Sequence, residues 1–153
     1  MIKEPNIRIG LLKTSNKISI SLNGAYTCPE VDEIFFNQTI DVQYANGKIL
    51  IYMGNRESFL ADKKVAFIPR DFEHNFFEII NMPTGIHTHL EHEATQAFQG
   101  IISFESHNEQ LYLINEIIAE KYLMSVVSSE ISSRCHEEFL KTHAIISRSW
   151  LIA

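Results

Sequence analysis

The sequence predicts an α+β fold, with a strand-rich, mostly antiparallel N-terminal body followed by two C-terminal helices. Three observations support this class. Apolar and polar residues alternate at period two in several stretches of the first hundred residues. An Asn46-Gly47 pair separates two such stretches, which is typical of a tight hairpin. After residue 118 the apolar residues recur at helical spacing. We therefore expect one domain over 1–153, with a strand-rich region (1–118) and a helical region (119–153).

The predicted strands follow one another with turn signals between them. Asn23-Gly24 marks one turn and Pro69 and Pro83 close two later strands. The last two strands pair around a polar turn at His107-Asn108-Glu109. The strands are predicted at 7–12, 18–22, 40–44, 49–53, 65–68, 76–80, 97–105 and 111–118.

The first helix carries an apolar face that ends in an acid. Five residues share this face: Ala119, Tyr122, Leu123, Val126 and Val127. The next position on it is Glu130. Because burial disfavours the charged form of a carboxyl group, a buried Glu130 would keep its proton, as a proton donor requires. The alternative is that the helix stops near Ser128 and that Glu130 is a solvated end or a cap.

The second helix combines polar side chains with an otherwise apolar run from 144 to 153. Glu137 and Lys141 are spaced for a favourable i, i+4 ion pair on its exposed side. His143 and Ser147 lie four residues apart, with Arg148 beside them. In one interpretation these three side chains support an acid or hold a sugar, and Arg148 forms an ion pair with Glu130. In the other, His143 and Ser147 satisfy backbone groups and Arg148 pairs with Glu137 or Glu120.

Composition narrows the classes of function. The chain has 153 residues and a formal net charge of -6, which argues against nucleic-acid binding and against docking on anionic lipid. We expect no membrane insertion, since no apolar run approaches the length of a transmembrane helix. The N-terminus also lacks the apolar core of a signal peptide. Cys28 and Cys135 are expected to be buried free thiols, with a disulfide as the alternative.

A histidine cluster precedes the last two strands. His87 and His89 would point the same way on a strand, a spacing found in metal sites. No third ligand follows at a defined position, although His92, Glu91 and Glu93 are near in sequence. A solvated loop is the default interpretation, and a metal site at His87 and His89 is the alternative.

Two linked motifs resemble those of one known family. Residues 120–131 read EKYLMSVVSSEI, and residues 140–150 read LKTHAIISRSW. They are similar to the signature of the stage II sporulation protein D / amidase enhancer family, E-x-Y-L-x-x-V-[VIL]-x-S-E-M followed by L-K-[AT]-[QH]-A-[VI]-x-[AS]-R-[ST]-[YW]. The Phe98-Gln99-Gly100 run, continuing to Ile117, also resembles the strand pair that leads into the family's helix. Ile131 replaces the usual Met, and His143 stands where many members have Gln.

The resemblance implies chemistry on the bacterial cell wall. Enzymes of the family are lytic transglycosylases that prefer glycan strands stripped of stem peptides, and their catalytic glutamate falls on Glu130. Six further residues are candidates for substrate-binding or supporting roles: Arg148, Ser147, His143, Tyr122, Lys141 and Ser129. Such strands carry lactyl carboxylates, so the binding groove should oppose the overall acidity, with Arg148, Lys141 and Arg134 as nearby cations. One carboxyl group suffices for this reaction, since the sugar's own 6-hydroxyl is the nucleophile, whereas an ordinary glycosidase needs two.

The resemblance also implies what lies outside the two motifs. Some members bind zinc through His and Cys residues after the second helix, whereas this chain ends at Ala153 and is expected to hold no cofactor itself. It would then be an N-terminal portion of a longer family domain. The expected location is the cell envelope or periplasm, and the expected partners are peptidoglycan strands and a cell-wall amidase. The alternatives to catalysis are a non-catalytic module that enhances an amidase and an inactive fragment.

Overall fold

A computed structural model of the chain describes residues 4–54, 56–84, 92–132 and 134–153. Strands occupy most of these ranges up to residue 118, and two helices follow, which confirms the predicted α+β class. The strands are β1 (Asn6–Thr14), β2 (Ile18–Asn23), β3 (Ala25–Cys28), β4 (Glu33–Phe36), β5 (Thr39–Ala45), β6 (Lys48–Met53), β7 (Arg56–Ala61), β8 (Lys64–Pro69), β9 (Phe76–Thr84), β10 (His92–Phe98), β11 (Ile101–His107) and β12 (Gln110–Ile118). The helices are α1 (Ala119–Glu130) and α2 (Glu137–Ile152).

The strands form two six-stranded sheets. One has the order β1-β12-β11-β8-β3-β4, and the other has the order β10-β9-β2-β5-β6-β7. Sequential neighbours such as β5 and β6, or β11 and β12, pair antiparallel as predicted. β2 lies between β5 and β9, and both of these pairings are antiparallel.

The two sheets share one hydrophobic core. The alternation along β2 buries Ile18, Ile20 and Leu22, because every second side chain points to the same face. Phe35 on β4 connects the two sheets, since its ring lies 5.2 Å from that of Phe67 and 6.1 Å from that of Phe59. Edge-to-face contacts of this kind stabilise a core beyond the area they bury.

Two tight turns pin the register of the hairpins. Asn46 and Gly47 both have positive φ, 53° and 79°, which the predicted Asn-Gly hairpin between β5 and β6 requires. Asn108 and Glu109 also have positive φ, 49° and 60°, and close the β11–β12 hairpin. A glutamate in this conformation is unusual, so the strand pairing imposes it against the residue's own preference.

Some boundaries differ from the prediction. The expected strand over 97–105 is two strands, because the chain turns at Gly100, which has a φ of 98°. β9 continues past the expected stop to Thr84, with Pro83 paired opposite Glu93. Three strands were not predicted, namely β3, β4 and β7.

The chain divides into two compact units, a body of residues 8–116 and a helical unit of residues 117–153 with those preceding Arg8. Whether 1–153 forms a single domain remains a prediction. In the helical unit α1 follows β12 directly, and the Ala119 N–H donates to the Pro5 carbonyl at 2.9 Å. The His136 ring caps α2 by accepting from the Glu138 N–H at 3.3 Å. Among the described residues, neither helix is long and apolar enough to cross a membrane.

Candidate functional site

Glu130 is the last residue of α1, and its side chain is 56% exposed. The expectation of a buried acid is therefore wrong. The buried part of α1 ends one turn earlier than the apolar pattern suggested, because only Ala119 and Leu123 are buried. Val126 and Val127 are half-buried, so the stripe that leads to Glu130 is itself open to solvent at this end. The helix does extend to Glu130 and does not stop at Ser128.

His143 of α2 is the partner of this acid. Its Nε2 atom lies 3.0 Å from Oε2 of Glu130, and its side chain is only 25% exposed. An imidazole nitrogen can accept a proton from a carboxylic acid or donate one to a carboxylate. The pair can thus hold one proton on either side chain. The alternative in which His143 satisfies only backbone groups is not what the structure shows.

The pair lies in a groove of about 390 Å³ between α1 and α2, here termed the Glu130 groove. Residues four apart build its two walls, since such residues share a helix face. The groove combines an acid, two aromatic rings, a hydroxyl and an apolar floor. Its lining is Tyr122, Leu123, Val126 and Glu130 from α1, and His143, Ile146, Ser147, Trp150 and Leu151 from α2. Four predicted site residues therefore come together here.

Trp150 is a lining residue that the sequence prediction missed. Its side chain is 83% exposed, which is unusual for so large an aromatic ring. A signal was present, because Trp150 lies seven residues after His143 and hence on the same face of α2. An exposed indole beside an acid provides a flat apolar surface on which a sugar ring can stack.

Arg148 forms an ion pair with a different glutamate from the predicted one. Its Nε and Nη2 atoms donate to the two carboxylate oxygens of Glu120 at 2.7 and 2.6 Å. The predicted ion pair with Glu130 is therefore wrong, and the alternative with Glu120 is confirmed. These hydrogen bonds hold the pKa of the Glu120 carboxyl below its ordinary value. The pair borders a second groove of about 760 Å³, lined mainly by apolar side chains such as Met124 and Val127.

Lys141 and Ser129 are not among the residues that line the Glu130 groove. Lys141 forms the predicted ion pair with Glu137 at 2.9 Å and a further one with Glu138 at 3.1 Å. The Ser129 hydroxyl donates to the Val126 carbonyl at 2.8 Å. Both side chains are exposed and make these contacts within their own helices. This geometry gives no support to their predicted supporting roles.

The metal and cysteine predictions have separate outcomes. His87 and His89 lie outside the described residues. Among the residues that are described, no three His, Cys, Asp or Glu side chains are grouped to hold a metal ion.

Both cysteines are free thiols: Cys28 is buried as expected, whereas Cys135 is only half-buried. Burial raises the pKa of the Cys28 thiol to about 12, and the nearby Glu30 carboxylate adds to this shift.

Comparison with known proteins supports the predicted family resemblance. Residues 107–153 match the model of the family described as Stage II sporulation protein, SpoIID. The matched third of the chain contains β12 and both helices, and therefore the whole Glu130 groove. No curated protein and no solved structure matches the chain.

Proposed function

We propose that this chain acts on the bacterial cell wall as a lytic transglycosylase, with Glu130 as its acid. The observation that carries the proposal is the Glu130–His143 pair at 3.0 Å in a groove that also presents Trp150 and Tyr122. The match of residues 107–153 to the sporulation family favours a sporulation-related role in cell-wall remodelling.

The proposed reaction needs one proton donor that later becomes an acceptor. Protonated Glu130 donates its proton to the glycosidic oxygen as the bond to the N-acetylmuramic acid anomeric carbon breaks. The sugar's 6-hydroxyl oxygen then forms a bond to that carbon, and the Glu130 carboxylate takes the hydroxyl proton. The products are a shortened strand with a new 4-hydroxyl group and a 1,6-anhydro end. No water is consumed.

His143 is a positioning residue in this scheme. Since Glu130 is half-exposed, burial alone does not keep its proton available. The imidazole contacts the carboxyl group at hydrogen-bond distance, 3.0 Å, and orients it.

The walls of the groove suit a sugar chain. Trp150 and Tyr122 offer aromatic rings, which stack against the C–H faces of pyranoses. The Ser147 hydroxyl can donate to or accept from a sugar hydroxyl. Clefts of several hundred Å³ with a few polar groups on an apolar lining are typical ligand sites.

Substitution of the acid tests the proposal. Glu130→Gln should abolish release of anhydro-ended products from glycan strands stripped of peptides, measured by mass spectrometry. Glu137→Gln is the matched control, since Glu137 is also an exposed helical glutamate with one cationic partner at 2.9 Å. Full activity in Glu130→Gln, or equal loss in both variants, would contradict the assignment.

A second candidate is a module that binds cell-wall glycan without cutting it and enhances a partner amidase. The exposure of Glu130 favours it, because a solvated carboxyl group is a poor proton donor near neutral pH. Sedimentation with purified sacculi separates the two functions. Binding that Trp150→Ala removes, without any anhydro product from the unsubstituted chain, would favour the binding module.

A further inference from the structure

A second polar groove lies on the body and is formed partly by residues that precede the segment matched to SpoIID. It has a volume of about 470 Å³ and is termed here the Lys63–Lys64 groove. Its lining comes from β8, β11, β12 and the residue before β8. The lining residues are Lys63, Lys64, Glu105, Ser106, His107, Tyr112 and Ile114.

The pairing register places the lining side chains on one face of the sheet that contains β8, β11 and β12. Glu105 pairs opposite Lys64 on one side and opposite Tyr112 on the other. Directly opposed residues point to the same face, so these three side chains form a row across the sheet. The Ser106 N–H donates to the Lys63 carbonyl at 2.9 Å, which fixes the loop that carries Lys63.

The charge of the groove opposes that of the whole chain. Arg8 and Lys64 both pair with Glu105, and the Lys64 Nζ lies 3.2 Å from that carboxylate. Lys13 places its ammonium group over the Tyr112 ring, 5.4 Å from the centroid. The lining holds two lysines, Lys63 and Lys64, and one carboxylate, and Arg8 and Lys13 contact two of its other residues, in a chain whose net charge is -6. Asp62, next to Lys63, is itself paired with Lys48 at 2.6 Å.

We infer that the Lys63–Lys64 groove binds an acidic glycan, with carboxylate groups at the lysines and a sugar ring against Tyr112. The excess of cations selects an anionic ligand, and the half-buried tyrosine ring supplies the apolar surface that a pyranose needs. The inference rests on the proposed function for the choice of ligand, which is the peptidoglycan strand whose muramic acids carry free lactyl carboxylates.

The test measures binding in the full chain with Glu130→Gln, so that the ligand stays intact. The two probes are peptide-free glycan strands and the same strands after chemical reduction of their carboxyl groups. We expect native strands to bind about 3- to 10-fold more tightly, as two exposed ion pairs would provide. Adding Lys63→Gln and Lys64→Gln should remove this preference and leave the affinity for reduced strands unchanged.

Lys17→Gln is the matched control. Lys17 is 53% exposed and pairs with Asp41 at 2.8 Å, whereas Lys64 is 52% exposed and pairs with Glu105 at 3.2 Å. Circular dichroism checks that each variant is folded. The inference is overturned if native and reduced strands bind equally, if neither binds, or if the lysine pair behaves like the control.

Failure of the proposed function would be visible separately. The proposed function is measured as the release of anhydro-ended products by the chain with Glu130 intact. Carboxylate-dependent binding without that product would support the inference and contradict the proposed catalysis.

Discussion

At the scale of single residues, the contact between Glu130 and His143 underlies the proposed chemistry. The two side chains come from different helices and meet at 3.0 Å. The imidazole fixes the orientation of the carboxyl group through this hydrogen bond.

Removal of the imidazole should therefore lower the rate of cleavage. We expect His143→Ala to lower kcat about tenfold through lost orientation of the carboxyl group. His143→Gln should recover part of the rate, since an amide can also hydrogen-bond the carboxyl group. Equal loss of kcat in His143→Ala and His143→Gln would reduce His143 to a structural role.

A second residue-scale feature lies in the body, where Gly24 meets Asn75. Gly24 has a φ of 97°, and a Cβ added there would lie 2.1 Å from the Asn75 side-chain oxygen. Asn75 cannot easily move away, because it is 8% exposed and its amide donates to the Ala25 carbonyl at 2.6 Å. The turn between β2 and β3 therefore requires glycine for both conformation and space.

Alanine substitutions at three glycines separate these two causes. We expect Gly10→Ala to be nearly neutral, since nothing lies within 4 Å of its Cβ position. Gly47→Ala should cost about 1 kcal/mol from its positive φ alone. Gly24→Ala should cost about 2–4 kcal/mol, because it adds a clash with a buried polar side chain. Urea unfolding measures all three, and equal costs at Gly24 and Gly47 would contradict the packing argument.

At the scale of elements, the two helices are joined by the Glu120–Arg148 pair as well as by the acid's own contact with α2. Both Arg148 hydrogen bonds go to Glu120, and they hold the pKa of that carboxyl below its ordinary value of 4.5. A lowered pKa in the folded state means that the pair stabilises the fold above about pH 4.5. That contribution is lost as pH falls through the folded-state pKa.

A carboxyl titration followed by NMR tests this link. In Arg148→Gln the pKa of Glu120 should rise toward 4.5, and the acid end of the stability profile should flatten. Arg134→Gln, which changes an exposed arginine between the helices, should leave the Glu120 titration unchanged. An unshifted Glu120 in Arg148→Gln would show that the guanidinium does not stabilise its charge in solution.

The elements also show which parts of the fold could be predicted from the sequence. Alternation predicted β2 and the β5–β6 hairpin, because one face of each strand is buried and the turn chemistry agrees. β4 was missed since its residues, Glu33–Phe36, expose three of four side chains and show no such alternation. At the site, the motifs identified Glu130 and His143. They did not reveal that Arg148 pairs with Glu120, because the rotation of the two helices about their axes determines which carboxylate Arg148 can reach.

At the scale of the whole molecule, the two units differ in how much apolar surface they bury. The body has a continuous core. Among the described residues, its largest fully buried side chains include ten phenylalanines and isoleucines: Phe35, Phe67, Phe77, Phe104, Ile20, Ile40, Ile49, Ile51, Ile79 and Ile102. In the helical unit α1 buries only Ala119 and Leu123, and α2 buries none of its residues. Local stability follows such burial.

Hydrogen exchange should reflect this difference. Amides of α2 are expected to exchange on the order of 100-fold faster than those of β2, β5 and β6, because local opening of α2 exposes little apolar surface. Exchange followed by mass spectrometry on the intact chain measures both regions in one sample. Equal protection of α2 and the central strands would contradict the account, since it would require burial that α2 does not have.

The most direct test of the central claim is whether oxygen from water enters the products of cleavage. Peptide-free glycan strands are digested in ¹⁸O-labelled water, and the new ends are analysed by mass spectrometry. If Glu130 protonates the leaving oxygen and the 6-hydroxyl closes the ring, the products carry 1,6-anhydro ends without ¹⁸O, and Glu130→Gln yields none. Reducing ends that contain ¹⁸O, or the same anhydro products from Glu130→Gln, would contradict the account.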